Sequence, residues 1–160
     1  MFIKNKSIFI ILIILLSNCS INNLNENGML NNVAVHIETP TDKDNVLLKE
    51  NLRRLIKSNP NSELKYVLIA KISYSSSETL SVRGLSVLNS TKATVDYSLV
   101  ERSTGNILKE SSFNSFPALS SSSNSLYSNE KSIDQIKERL NLSSAEKLNL
   151  LLKITLSRLN

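Results

Sequence analysis

A chain of 160 residues that is 41% hydrophobic and 21% charged has room for one domain and one core. Its single cysteine, Cys19, excludes an internal disulfide and a cysteine-paired metal site, and its single histidine, His36, removes most histidine-based chemistry. The formal charge of +5 falls to +3 if Lys4 and Lys6 are lost with the residues before Cys19, and the few aromatics are not interleaved with the bases, so no stacking platform for nucleic acid is expected.

Lys4 and Lys6 precede Ser7 to Leu16, a run of ten residues of which nine are apolar. That is short for a permanent bilayer span and has the length of a signal-peptide core. Leu16-Ser17-Asn18-Cys19 then looks like the lipobox of bacterial lipoproteins, in which a cysteine thiol is needed as the nucleophile that forms a thioether to a diacylglyceryl group. Asn18 stands where Gly or Ala is usual, which bears on how efficiently the peptide is cut. Residues 1–18 are therefore read as a lipoprotein signal peptide, and the asparagine-rich residues 19–32 as a lipidated tether. Ser20, rather than Asp, after the cysteine resembles lipoproteins sent on to the outer membrane.

The remainder, 33–160, reads as a single domain. Val33, Val35 and Ile37 alternate with Ala34, His36 and Glu38, the period of a short strand with His36 on its polar side. Thr41 or Asp42 caps a helix over Lys43 to Lys57. Val46, Leu47, Leu48, Leu52, Leu55 and Ile56 form its apolar stripe, and Lys49, Arg53, Arg54 and Lys57 its wet side. Ser58-Asn59-Pro60-Asn61 stops it. Leu64 to Ser73 is a second strand, with Leu64, Tyr66, Leu68, Ala70 and Ile72 on one face and Lys65, Val67, Ile69 and Lys71 on the other, which predicts an interior strand or one partly covered on both faces. The structure of 73–92 stays open between a strand extension, a wide loop and an edge ribbon.

Val95, Tyr97 and Leu99 alternate with Asp96 and Ser98, and Ile107, Lys109, Ser111 and Phe113 continue the period beyond the polar break at 101–106. This predicts an antiparallel hairpin whose turn uses Gly105 at positive φ. Pro117 and the serine run at 120–123 are expected to end any further ladder. Ile133, Ile136 and Leu140 make one helical stripe, and Leu148, Leu151, Leu152, Leu156 and Leu159 another. Between them Ser143-Ser144-Ala145-Glu146 matches a capping box, so 131–158 stays open between one continuous helix and one that kinks or starts afresh near Asn141. The sum is an α+β fold: a sheet of about four strands, mostly antiparallel or mixed, with two helices packed on one face.

Leu16 to Cys19, the strand-helix-strand opening, Val95-Asp96-Tyr97-Ser98-Leu99 with the turn Ser103-Thr104-Gly105, and Leu126-Tyr127-Ser128 before a charged helix together resemble the LPS-assembly lipoprotein family LptE in its alphaproteobacterial form. The resemblance implies an outer-membrane lipoprotein facing the periplasm, lipid-anchored at Cys19. It implies a plug that helps to assemble the LptD β-barrel in lipopolysaccharide transport, with LptD, lipopolysaccharide and the membrane as partners and no enzyme activity or cofactor. It further implies basic lipid-binding positions, for which Arg83, Lys92, Arg102 and Lys109 are the candidates, because they lie on loops or strand edges near the hairpin and can pair with phosphate. The alternative is an accessory periplasmic lipoprotein of another envelope lipid-transport complex of the ABC type. No Ser/His/carboxylate set, metal cluster or glycine-rich phosphate loop is spaced for catalysis.

Overall fold

The structure is a computed structural model and describes residues 34–56, 63–80, 87–121 and 126–159. The signal peptide, the tether with Cys19, Val33, Lys57 and Arg83 lie outside the described residues. The chain runs through β1 (Ala34–Glu38), α1 (Lys43–Leu55), β2 (Leu64–Leu80), β3 (Val87–Glu101), β4 (Ile107–Asn114), β5 (Ala118–Ser121) and α2 (Leu126–Leu159). The sheet order is β1-β2-β3-β4, with β5 pairing β3 beyond the end of β4.

β1 is parallel to β2, with Ile37 beside Leu68, so α1 must act as the crossover that carries the chain back across the sheet. The other pairings are antiparallel. Asp42 caps α1 by accepting the Asn45 N–H at 3.1 Å, one of the two caps foreseen. Leu48, Leu52 and Ile56 are buried and Leu47 and Leu55 half-buried, whereas Val46 is exposed. The packed side of α1 instead takes in Asn45 and Asn51, both buried.

Alternation divides the sheet cleanly. Leu68, Ala70 and Ile72 of β2, Ala93, Val95, Tyr97 and Leu99 of β3, and Val35 and Ile37 of β1 all face the helices. Burying that face against two leucine-rich helices is the main stabilising term, worth about 1.5–3 kcal/mol for each large side chain. On the opposite face Val67 is half-buried and Ile69 is 43% exposed. β2 is interior, but covered on one side only.

Along the chain one expectation is corrected and two open readings are decided. Residues 73–80 and 87–93 are strand: β2 and β3 pair without interruption from Tyr66↔Glu101 to Leu80↔Val87, so the described residues of the undecided stretch extend these two strands. The ladder also resumes after Pro117, because β4 pairs only the Thr94–Val100 stretch of β3 and leaves the edge of its first half open. β5 fills that edge, with Leu88↔Ser121 to Thr91↔Ala118. Finally, α2 is one helix of 34 residues. Ile136, Leu140, Ser144, Leu148, Leu152 and Leu156, spaced by four, are all buried, and this continuous ridge carries the helix through the capping-box sequence. No described helix is long and apolar enough to cross a membrane.

Candidate functional site

The break between β4 and β5 makes the most distinctive surface of the domain. Ser115 keeps contact with β3 in two ways: its N–H donates to Ala93 O, and its hydroxyl accepts the Ala93 N–H, both at 2.8 Å. A side chain here stands in for a ladder carbonyl. Pro117 has no N–H to offer, so the chain detours at 115–117, and Phe116 is left 93% exposed. Opposite stands α2. The two elements enclose an open groove of about 610 Å³, walled by Phe113, Phe116, Leu119, Ile136, Leu140 and Leu142.

Charges sit on the rim of this apolar channel. Arg139, Glu146 and Lys147 of α2 line it, and the Lys147 ammonium lies 4.5 Å from the centroid of the Phe113 ring and 3.4 Å from Asn114 O. That placement combines cation–π attraction with a hydrogen bond. Phe113 is in turn held edge-on by Tyr97, with ring centroids 6.3 Å apart. One wall is thereby fixed through the core, while Phe116, Leu119 and Leu142 remain exposed. Exposed aromatic and aliphatic side chains grouped with a polar rim are the composition of a contact surface.

Beneath the helices lies a polar node. Asn141, fully buried on α2, accepts from Asn51 Nδ2 at 3.0 Å and donates to Asp44 O at 2.8 Å and to the Tyr74 hydroxyl at 3.3 Å. Tyr74 donates to Lys137 O at 3.1 Å. α1, β2 and α2 thus meet at one satisfied network, the arrangement that selects a single packing among several greasy ones. Burial pushes the Tyr74 hydroxyl up to about 12, Asn141 opposing that shift and the Asp44 carboxylate adding to it. This is a structural phenol rather than a base.

The four basic positions do not form one cluster. Lys92 is half-buried on β3, paired with Ser75 in the ribbon. Arg102 is exposed in the β3–β4 turn, its N–H donating to Lys65 O at 2.9 Å, and Lys109 is exposed on β4 opposite Leu99. Ten residues of strand, roughly 33 Å, separate Lys92 from Arg102. Arg102 and Lys109 share one end of the sheet, and Arg83 lies outside the described residues. Phe116, Leu119 and Leu142 stand outside the strand and helix stripes that spacing marks: Phe116 and Leu119 flank Pro117-Ala118, and Leu142 falls off the every-fourth-residue ridge through Leu140. An aromatic immediately before a proline and a serine run was the available signal.

The geometry defines a class: an α+β domain with a parallel strand-helix-strand start, an antiparallel hairpin extension, and helices on a single sheet face. No family model and no curated protein matches the sequence. Solved structures do share the fold. A Caulobacter crescentus CB15 protein described as a lipoprotein aligns with a TM-score of 0.61 at 17% identity, covering 82% of this chain and 95% of its own. A minor lipoprotein from Acinetobacter baumannii gives 0.59 at 13% identity, over 77% and 91% of the two chains. Rare lipoprotein B from Shewanella oneidensis gives 0.57 at 11% identity, over 78% and 97%.

Proposed function

We propose that this protein is a non-catalytic outer-membrane lipoprotein, anchored through acylated Cys19 on the periplasmic face, that plugs and helps to assemble an LptD-type β-barrel in lipopolysaccharide transport. The observation that carries this reading is the one-sided architecture. Both helices cover the same sheet face, leaving the other face, with Val67 and Ile69, and the Phe116 groove for a larger protein. Solved proteins of the same fold bear lipoprotein names, and Leu16 to Cys19 is placed as a lipobox after an apolar run; both support the reading. Several acyl chains on one cysteine hold a protein on a membrane essentially permanently.

Affinity capture of the full chain from detergent-solubilised membranes tests the partner. A stoichiometric β-barrel protein is expected; an ATPase or permease in its place would move the protein to an accessory role in an ABC-type lipid transporter. Mass spectrometry of the amino-terminal peptide tests the anchor, and an unmodified Cys19 in a cytosolic protein would end the proposal. For lipopolysaccharide contact, Arg102 and Lys109 are the candidates that lie toward the same end of the sheet. Arg102→Ala with Lys109→Ala should weaken lipopolysaccharide binding in a salt-dependent way, and unchanged binding rejects these two positions.

A further inference from the structure

We infer that α2 carries a built-in break point at residues 141–144, and that its first half, 126–140, is a strap that opens as a unit while the second half stays packed. In the buried ridge of α2 from Ile136 to Leu156 every fourth position is Ile or Leu except Ser144, which is 1% exposed and whose hydroxyl finds no hydrogen-bond partner among the described residues. A buried unpaired hydroxyl is a standing penalty on the continuous helix. Next to it, Ser143 and Glu146 have the spacing of a capping box, the device by which a helix starts. In the closed helix that box is idle: the Ser143 hydroxyl donates back to Leu140 O at 3.1 Å.

The two halves are held by different forces. Beyond the break, Ala145, Leu148, Leu152 and Leu156 are buried, a dry leucine seam. Before it, the buried apolar side chains are Ile136 and Leu140, with Ile133 half-buried. Its further ties include the Tyr74 bond to Lys137 O, with the Lys137 ammonium 5.5 Å from the Tyr74 ring centroid, the Asn141 node, an exposed pair of Lys43 with Asp134 at 3.7 Å and a half-buried pair of Lys137 with Asp44 at 4.0 Å. Water can replace polar ties but not a buried leucine seam, so the first half is the cheaper one to release. On release Ser143 becomes the cap of a shortened helix and Ser144 reaches solvent. Ile136, Arg139 and Leu140 belong to the strap and line the Phe116 groove, so opening removes one wall of that groove.

Hydrogen exchange of the full-length protein, resolved by peptide or residue, tests this. Amides of 128–140 are expected to exchange at least about tenfold faster than those of 148–156 through an opening that leaves the second half protected. Ser143→Ala removes the cap of the open form, and Ser144→Ala removes the buried hydroxyl of the closed one. Each should slow exchange in 128–140 by about fivefold while moving 148–156 by less than about twofold. Both variants keep the fold, since alanine is the better helix former. A common exchange rate for both halves, or equal slowing of both halves in the two variants, overturns the inference.

Discussion

The side-chain amide of Asn45 occupies the edge of β2 at Ile72 as a neighbouring strand would, accepting the Ile72 N–H at 2.7 Å and donating to the Ile72 carbonyl at 3.2 Å. β1 reaches only as far as Ile69 in its pairing with β2, so this one residue from the first turn of α1 completes the ladder where β1 ends. The same amide donates to the Asp42 carboxylate, at 2.8 Å to Oδ2. Asp42 is thereby held below its ordinary carboxylate range, chiefly by the Asn45 side chain and then by its backbone N–H. Helix start and sheet edge are one structure.

Asn45→Ala should therefore cost more than a helix propensity value would suggest, since alanine is the better helix former. The substitution leaves a buried Ile72 N–H and carbonyl unpaired, at about 1–3 kcal/mol. Urea unfolding measures it, and an unfolding free energy within about 0.5 kcal/mol of the parent would show that water takes over the edge.

Tyr74 predicts a loss of stability at alkaline pH. Its pKa is about 12 in the folded protein, raised from 10.0, so the folded state holds a proton that the unfolded state releases. The contribution is full below pH 10 and disappears as pH rises from 10 through 12. Tyr74→Phe should flatten this part of the stability profile relative to the parent. Parallel profiles for the two proteins between pH 9 and 11.5 would contradict the assignment.

Gly105 separates backbone strain from crowding. Its φ is +71°, and nothing lies within 4 Å of where a Cβ would sit. Its N–H closes the turn on Glu101 O at 2.8 Å, and the Thr104 hydroxyl donates to the Glu101 carboxylate at 2.6 Å. Gly105→Ala should cost about 1–2 kcal/mol from the left-handed conformation alone, and Gly105→Asn less. Equal stabilities for all three proteins in thermal unfolding would refute this.

Phe116 and Leu152 should behave in opposite ways. Leu152 is 2% exposed in the leucine seam, and Leu152→Ala should destabilise by about 2–5 kcal/mol. Phe116→Ser, at a 93% exposed position, should leave stability within about 0.5 kcal/mol yet reduce recovery of the membrane partner in affinity capture. Full recovery by the serine variant would remove the groove from the contact surface.

Much of the architecture was legible from periodicity, because one-sided burial writes itself into a strand as alternation and into a helix as a recurring stripe. Val95, Tyr97 and Leu99 are buried on one face as their spacing predicts, and Leu48 and Leu52 fill the α1 stripe. The serine-rich 73–80 carries no such pattern, since it has little to bury. Its partner β3 places it by backbone pairing, joined by the Ser76–Thr91 hydroxyl contact at 3.0 Å and the Tyr74 hydroxyl, and none of these leaves a periodic trace in the sequence.

What the amino-acid order determined by itself was local: where each apolar face lies, that Asp42 can cap, that Gly105 can turn, and that Cys19 follows an apolar run. What the tertiary structure alone decided was long-range. Asn45 meets Ile72 across 27 positions and Asn51 meets Asn141 across 90. β5 rejoins β3 past a proline, and Ser143 stays inside a helix that its own capping box could have started. The physical reason is the same in each case. A polar side chain takes whichever partner the packed core brings within hydrogen-bond distance, and sequence spacing does not encode that distance.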